Sequence, residues 1–221
     1  MINVIIIGST GMIGSLVQEM CLSRDDVSSV TSITRRNTGV SHPKLTEIIH
    51  DNFLDFSGVG EHFKNQDVCF YCLGVYTGAV SKDEFRTITV DFTSAFSEML
   101  RKQSVATSFC FLSGQGADQT EKSRVMFARD KGAAENMLLG LDFENTFIFR
   151  PGYIYPSTPR KEPNFSYKLT RWLYKPILSR IYPNIGISSA DFARAMVETG
   201  FHGGEKTICE NKDIRNIVKD L

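Results

Sequence analysis

The sequence predicts an α/β fold of the doubly wound, Rossmann kind, a parallel sheet with helices on both faces and a small C-terminal extension. Three observations predict it. Apolar runs of strand length alternate with amphipathic stretches from Met1 to Arg150. The runs are apolar throughout rather than at every second position, as in strands covered on both faces. A glycine-spaced turn, Gly8-Ser-Thr-Gly11-Met-Ile-Gly14, joins the first run to the first amphipathic stretch.

Asn3–Ile7 reads as the first strand. Met12–Leu22 follows as a helix with Ile13, Leu16, Val17 and Met20 on one face. Val30–Thr34 is a second strand rich in β-branched residues. Leu45–Ile49 is a short third strand, and Val68–Leu73 a fourth, ended by Gly74. Glu84–Lys102 reads as one helix with Phe85, Ile88, Phe92, Ala95 and Met99 along a stripe. Ser108–Leu112 is the fifth strand, Val125–Leu139 a helix, and Thr146–Phe149 the sixth strand.

Beyond Arg150 the character changes. Pro151, Pro156, Pro159 and Pro163 mark an irregular stretch, followed by helical patterns at Tyr167–Leu178 and Ala190–Phe201. Residues 1–150 are therefore expected to form the nucleotide-binding core, and 151–221 a segment of the same domain that closes over the sheet's carboxyl edge on the substrate side.

Composition narrows the classes. The chain has 221 residues, 42% hydrophobic and 23% charged, with a formal net charge of zero. That suffices for one buried core and offers no basic excess for nucleic acid. The basic run Tyr167–Lys175 is broken by Leu169, Trp172 and Leu173 and reads as an amphipathic helix. No apolar run reaches membrane-spanning length, and no secretory leader precedes Ile2–Ile7. The expectation is a soluble, cytoplasmic protein without a membrane partner, with a homo-oligomer or a protein partner left open. The five cysteines read as buried free thiols. Cys69 and Cys72 stand three apart on a strand and so face opposite sides, which argues against a shared metal or disulfide. The histidines have no metal-ligand spacing, and no metal is expected.

The glycine turn carries the chemistry. Gly8 permits the tight exit from the strand, Gly11 lets backbone approach a pyrophosphate, and Gly14 allows close packing of helix on strand. Ser9, Thr10, Met12 and Ile13 belong to the same loop, where the helix N-terminus offers N–H groups and a positive dipole end. Arg35 and Arg36 follow the second strand, roughly 20 residues beyond Gly14, where an acidic residue would bind the ribose hydroxyl of NAD and an arginine accommodates the 2′-phosphate of NADP. With Thr34 and Asn37 as neighbours, no carboxylate competes. The expected cofactor is NADP(H), ahead of NAD(H). Asp51-Asn-Phe53 follows the third strand, where Asp51 either accepts from the adenine amino group or serves as a loop carboxylate.

With Arg35-Arg36 and Asp51 behind the glycine fingerprint, the chain resembles the short-chain dehydrogenase/reductase superfamily in its extended or atypical branch. The stretches Asp67–Gly74, Phe111–Asp118, Lys131-Gly-Ala-Ala-Glu135, Phe149-Arg-Pro-Gly152 and Ile187–Ala195 resemble its small nucleotide-sugar-epimerase-like members of the Tat-interacting-protein type. The resemblance implies that Leu73, Gly74 and Val75 line the cofactor and that Pro151 and Gly152 pass near the nicotinamide carboxamide. It also implies that Ser113 is the catalytic serine and Lys131 the lysine of the Tyr-x-x-x-Lys motif.

One departure stands out. The motif reads Phe127-Ala-Arg-Asp-Lys131, and phenylalanine has no proton to exchange. Lys131 retains the ribose role and Ser113 the contact to a substrate oxygen, while Tyr76, Tyr153 and Tyr155 stand in neighbouring loops. Two functional readings follow. One is an NADP(H)-dependent oxidoreductase or epimerase-like enzyme acting on an unidentified small molecule. The other is a non-catalytic NADP(H) sensor working through a protein partner. The aromatics Tyr153, Tyr155, Phe165, Tyr167 and Trp172 serve a substrate pocket in the first reading and a small core in either.

Overall fold

The computed structural model describes residues 1–157 and 186–220. The expected helix at Tyr167–Leu178, with Phe165 and Trp172, lies outside the described residues.

The strands are β1 (Ile2–Ile7), β2 (Val27–Thr34), β3 (Leu45–Ile49), β4 (Val68–Tyr71), β5 (Ser108–Leu112), β6 (Asn145–Arg150), β7 (Tyr153–Tyr155), β8 (Gly186–Ser188) and β9 (Ile208–Glu210). Seven of them form one sheet in the order β3-β2-β1-β4-β5-β6-β9, and β7 pairs with β8 in a separate ribbon. Every pairing is parallel. The α/β, Rossmann-type expectation holds, with β9 as a seventh strand that its shortness hid.

Alternation along the strands sorts the core into two layers. On β1, Val4 and Ile6 enter one cluster and Ile5 and Ile7 the other. The first layer is covered by α1 (Met12–Ser23) and by the helix Ser189–His202, which contributes Phe192, Met196 and Val197. The second is covered by the helices Phe92–Gln103 and Met126–Gly140, through Phe96, Leu100, Ala134 and Leu138. Each such fully buried aliphatic or aromatic side chain contributes about 1.5–3 kcal/mol. Cys69 lies in the second layer and Cys72 in the first, so their sulfurs are on opposite faces. Burial pushes both thiols up.

The predicted helix Glu84–Lys102 is in fact three pieces. In chain order the helices are α2 (Lys82–Arg86), α3 (Phe92–Gln103), α4 (Met126–Gly140), α5 (Ser189–His202) and α6 (Asn211–Lys219), and a π-helical turn, Thr87–Asp91, joins α2 to α3. The wider turn shifts the helical phase. Phe85 is buried before it and Thr89 within it, but Thr93, Phe96, Ser97 and Leu100 are buried after it, while Phe92, Ala95 and Met99 lie at the margin. Thr93 and Ser97 tolerate burial because each hydroxyl donates to a carbonyl one turn back, Thr89 O at 2.8 Å and Thr93 O at 2.6 Å.

Candidate dinucleotide site

The sheet order reverses between β1 and β4, and the chain leaves both strands at their carboxyl ends there, the place where open α/β sheets bind ligands. The N–H of Cys72 donates to Ile7 O at 2.9 Å and keeps the two exits side by side. Gly8 turns at φ 86°, and a Cβ on it would stand 2.6 Å from the Cys72 carbonyl carbon. A Cβ on Gly14 would stand 2.2 Å from Gly8 O, so α1 packs against the turn with no room for a side chain. α1 begins without a side-chain cap or an acidic residue in its first turn, leaving its leading N–H groups and dipole for an anion.

A cleft of about 530 Å³ opens at this point. Gly11, Met12 and Ile13 form one wall, Leu73, Gly74 and Val75 a second, and Ser113, Lys131 and Phe127 a third, with Pro151 and Gly152 beside them. A Cβ on Gly74 would meet nothing within 4 Å, so this stretch of backbone is bare toward open space. Residues from four strand ends and α4 that the sequence assigned to one site thus share one cavity, and its bare backbone and uncapped helix suit a dinucleotide. Two hydrogen bonds register the third wall. Ser113 N donates to Phe149 O and Gln115 N to Pro151 O, both at 2.9 Å. The N–H of Gly152 is taken by Asn211 Oδ1 at 2.9 Å and proline has none, so Pro151 and Gly152 form a wall and offer no backbone donor.

A second cleft, about 680 Å³, runs along the outer side of α1 from Ser9 and Thr10 to the loop holding Arg36, Asn37 and Thr38. Both Arg35 and Arg36 are exposed, but only Arg36 lines this cleft, and Arg35 lines neither. Ser9 is buried, its hydroxyl accepting from Ser32 Oγ at 2.7 Å.

The group after β3 is placed differently from expectation. Phe53 is a core residue, its ring 5.8 Å from Phe56 and 5.7 Å from Phe92. Asp51 and Asn52 are exposed and line neither cleft, and Asn52 Oδ1 caps the local turn by accepting from Leu54 N. The apolar demand of the second core layer turns Phe53 inward and leaves its two polar neighbours facing outward.

Lys131 is 8% exposed and its Nζ donates to Leu112 O at 3.0 Å. Burial lowers it to about 8, against an opposing pull from Glu135. Phe127 lines the cleft, with its ring end against Gly114.

Sequence reading missed the buried network behind Ser113. Glu135 is fully buried; its Oε1 accepts from Ser113 Oγ at 2.5 Å and Arg150 Nε at 2.9 Å. Its Oε2 accepts from Arg150 Nη2 at 2.5 Å and Gln119 Nε2 at 3.1 Å. Arg150 also reaches Glu210 at 2.9 Å. Glu135 first, then Glu210, holds Arg150 well above the usual arginine range, against burial. The available signal was a charge at each end of apolar surroundings: Glu135 after Gly132-Ala-Ala, and Arg150 closing Phe147-Ile-Phe149.

Among the described residues no group of three metal-ligating side chains could hold an ion, and no helix is long and apolar enough to cross a membrane.

The fold and cleft are of the Rossmann class that includes dehydrogenases and sugar-nucleotide epimerases. No family model matches the chain. Its relatives include rat Protein HTATIP2, 26% identical over 99% of this chain and 90% of that protein. Among solved structures, the Bordetella bronchiseptica enzyme WbmH in complex with NAD+ matches at TM-score 0.70 and 18% identity, over 95% of this chain and 75% of that one. The UDP-glucose 4-epimerase of Thermotoga maritima with UDP-glucose matches at 0.71 and 14%, over 99% and 82%. These likenesses, at 14–18% identity, show the fold.

The cytoplasmic expectation is corrected. Several fungal relatives are named mitochondrial, among them FMP52-1 of Scheffersomyces stipitis, 22% identical over 97% of this chain and 96% of that protein. That no helix among the described residues is long and apolar enough to cross a membrane does not distinguish cytoplasm from mitochondrion.

Proposed function

We propose that this chain is an NADP(H)-binding oxidoreductase or epimerase-like protein whose reaction site is the cleft between the glycine turn and α4. The observation that carries the reading is the convergence of Gly11–Ile13, Leu73–Val75, Ser113 and Lys131 on that one cavity at the sheet's switch point. The uncapped start of α1 holds the pyrophosphate, and the bare backbone at Gly74 admits the cofactor's flat surface. Arg36, beside Ser9 and Thr10, supplies a forked donor for a 2′-phosphate. The structure gives Arg35, Asp51, Asn52 and Phe53 no such placement, and the recognition load falls on Arg36. When bound, the cofactor supplies or accepts a hydride. Lys131 holds the nicotinamide ribose, and Ser113 meets the substrate oxygen. Residues 151–156 form the substrate-side wall, as the part of the C-terminal segment nearest the carboxyl edge.

A second reading has its own observation. Phe127 presents a ring without an exchangeable proton to the cleft, which suits a module that holds NADP(H) and reports its presence to a protein partner. Fluorescence titration with NADPH and NADH tests cofactor binding, and a panel of carbonyl and nucleotide-sugar substrates then tests turnover. Binding without turnover across the panel favours the sensor; absence of binding removes both readings.

A further inference from the structure

We infer that Glu135 is a positioning residue that fixes the polarity of Ser113, so that the cleft takes the alcohol member of an alcohol–carbonyl pair. This rests on the cleft being the substrate site, as proposed above.

Glu135 faces three N–H donors, Arg150 Nε, Arg150 Nη2 and Gln119 Nε2, none of which can accept. Paired with a guanidinium and surrounded by donors, it is a carboxylate. Ser113 Oγ, 2.5 Å from Oε1, must therefore donate its one proton to Glu135. What remains at Ser113 is lone pairs, and Ser113 lines the cleft. A ligand hydroxyl can donate to them. A ligand carbonyl would bring acceptor against acceptor in a buried site, which is unfavourable.

The network also predicts how to reverse this polarity. In Glu135→Gln the amide nitrogen cannot sit at the Oε2 position, where Arg150 Nη2 and Gln119 Nε2 both donate. At the Oε1 position it opposes Arg150 Nε and Ser113, and only a hydroxyl can turn round. Ser113 then accepts from the amide and swings its own proton toward the cleft.

The test uses cyclohexanol and cyclohexanone as probes, followed by amide chemical shifts of the full chain, both alone and with NADP+. Cyclohexanol is expected to bind about fivefold more tightly than the ketone, the size of one net hydrogen bond. Ser113→Ala, which leaves the Glu135–Arg150 pair intact, should erase the preference, and Glu135→Gln should invert it. Equal affinities in the parent, a preference that survives Ser113→Ala, or no shift of cleft amides by either probe overturns the inference. Failure of NADP+ to bind is scored separately, because the probes are also read on the cofactor-free protein.

Discussion

Phe127 and Gly114 are in contact that leaves no space for a side chain: a Cβ on Gly114 would lie 2.6 Å from Phe127 Cζ. The ring, packed also 6.2 Å from Phe85, closes over the backbone next to Ser113. Gly114→Ala should destabilise the chain by about 1 kcal/mol, the low end of overpacking costs, because the obstacle is a ring end at the cleft that can give. Added to Phe127→Ala, the same change should cost clearly less, since the clash is gone. Urea denaturation of the four proteins measures the cycle; equal costs in both backgrounds would mean that the ring is not the obstacle.

Two glycines hold elements together more tightly still. A Cβ on Gly132 would fall 1.9 Å from Asp118 O, and one on Gly14 2.2 Å from Gly8 O, with backbone as the obstacle in both cases. Alanine at either position should destabilise by several kcal/mol, at the upper end of single-site effects. Alanine at Gly140, whose Cβ would meet nothing within 4 Å, should be neutral or slightly stabilising by propensity. Thermal unfolding of the three variants checks the contrast.

The Glu135–Arg150 pair should behave as a buried ion pair. Glu135 is fully buried and the Arg150 side chain 13% exposed. Removing Glu135, as in Glu135→Met, should cost about 2–4 kcal/mol, somewhat below a fully stranded buried charge, because Arg150 keeps its bond to the half-exposed Glu210. The double change Glu135→Met, Arg150→Met should cost less than the two single changes added together. A denaturation cycle reports the coupling, and strict additivity would show that the two do not act as a unit.

Lys131 gives the chain a signature in alkaline solution. Burial lowers its folded value to about 8 from an ordinary 10.5. Below pH 8 the amine is charged in both states and the burial penalty is fully present. Between pH 8 and 10.5 the unfolded chain binds the extra proton, so stability rises with pH. The gain is on the order of 1–3 kcal/mol. Lys131→Met should lose this rise. The comparison of parent and variant between pH 7.5 and 10 isolates it from other groups that titrate there; parallel curves would refute the assignment.

Much of this was legible in the sequence, and the gaps have physical causes. The strands and the glycine turn announce themselves because buried parallel strands are continuously apolar and only glycine fits against Gly8 O at position 14. The break in the Glu84–Lys102 pattern stayed hidden because two of the residues buried after the π turn, Thr93 and Ser97, are polar and donate their hydroxyls to carbonyls one turn back. Phe53 looked like part of a polar loop motif because burial is decided by the facing layer, by Phe56 and Phe92, and not by its neighbours in sequence. The convergence of Ser113, Lys131 and the glycine turn was legible through resemblance to a known family. The Glu135–Arg150 network was not, since nothing in local pattern says that two charges some distance apart in the chain will meet in the core.

Binding of a phosphorylated nicotinamide dinucleotide in the cleft, as proposed, is decided by a fluorescence titration. NADPH and NADH are titrated against the parent, Arg36→Ala and Arg35→Ala. Tighter binding of NADPH than NADH is expected, with a loss of about tenfold for NADPH alone in Arg36→Ala, as for one charge-assisted contact, and little change in Arg35→Ala. No binding of either nucleotide to the parent, or equal binding of both that is indifferent to Arg36→Ala, would contradict it.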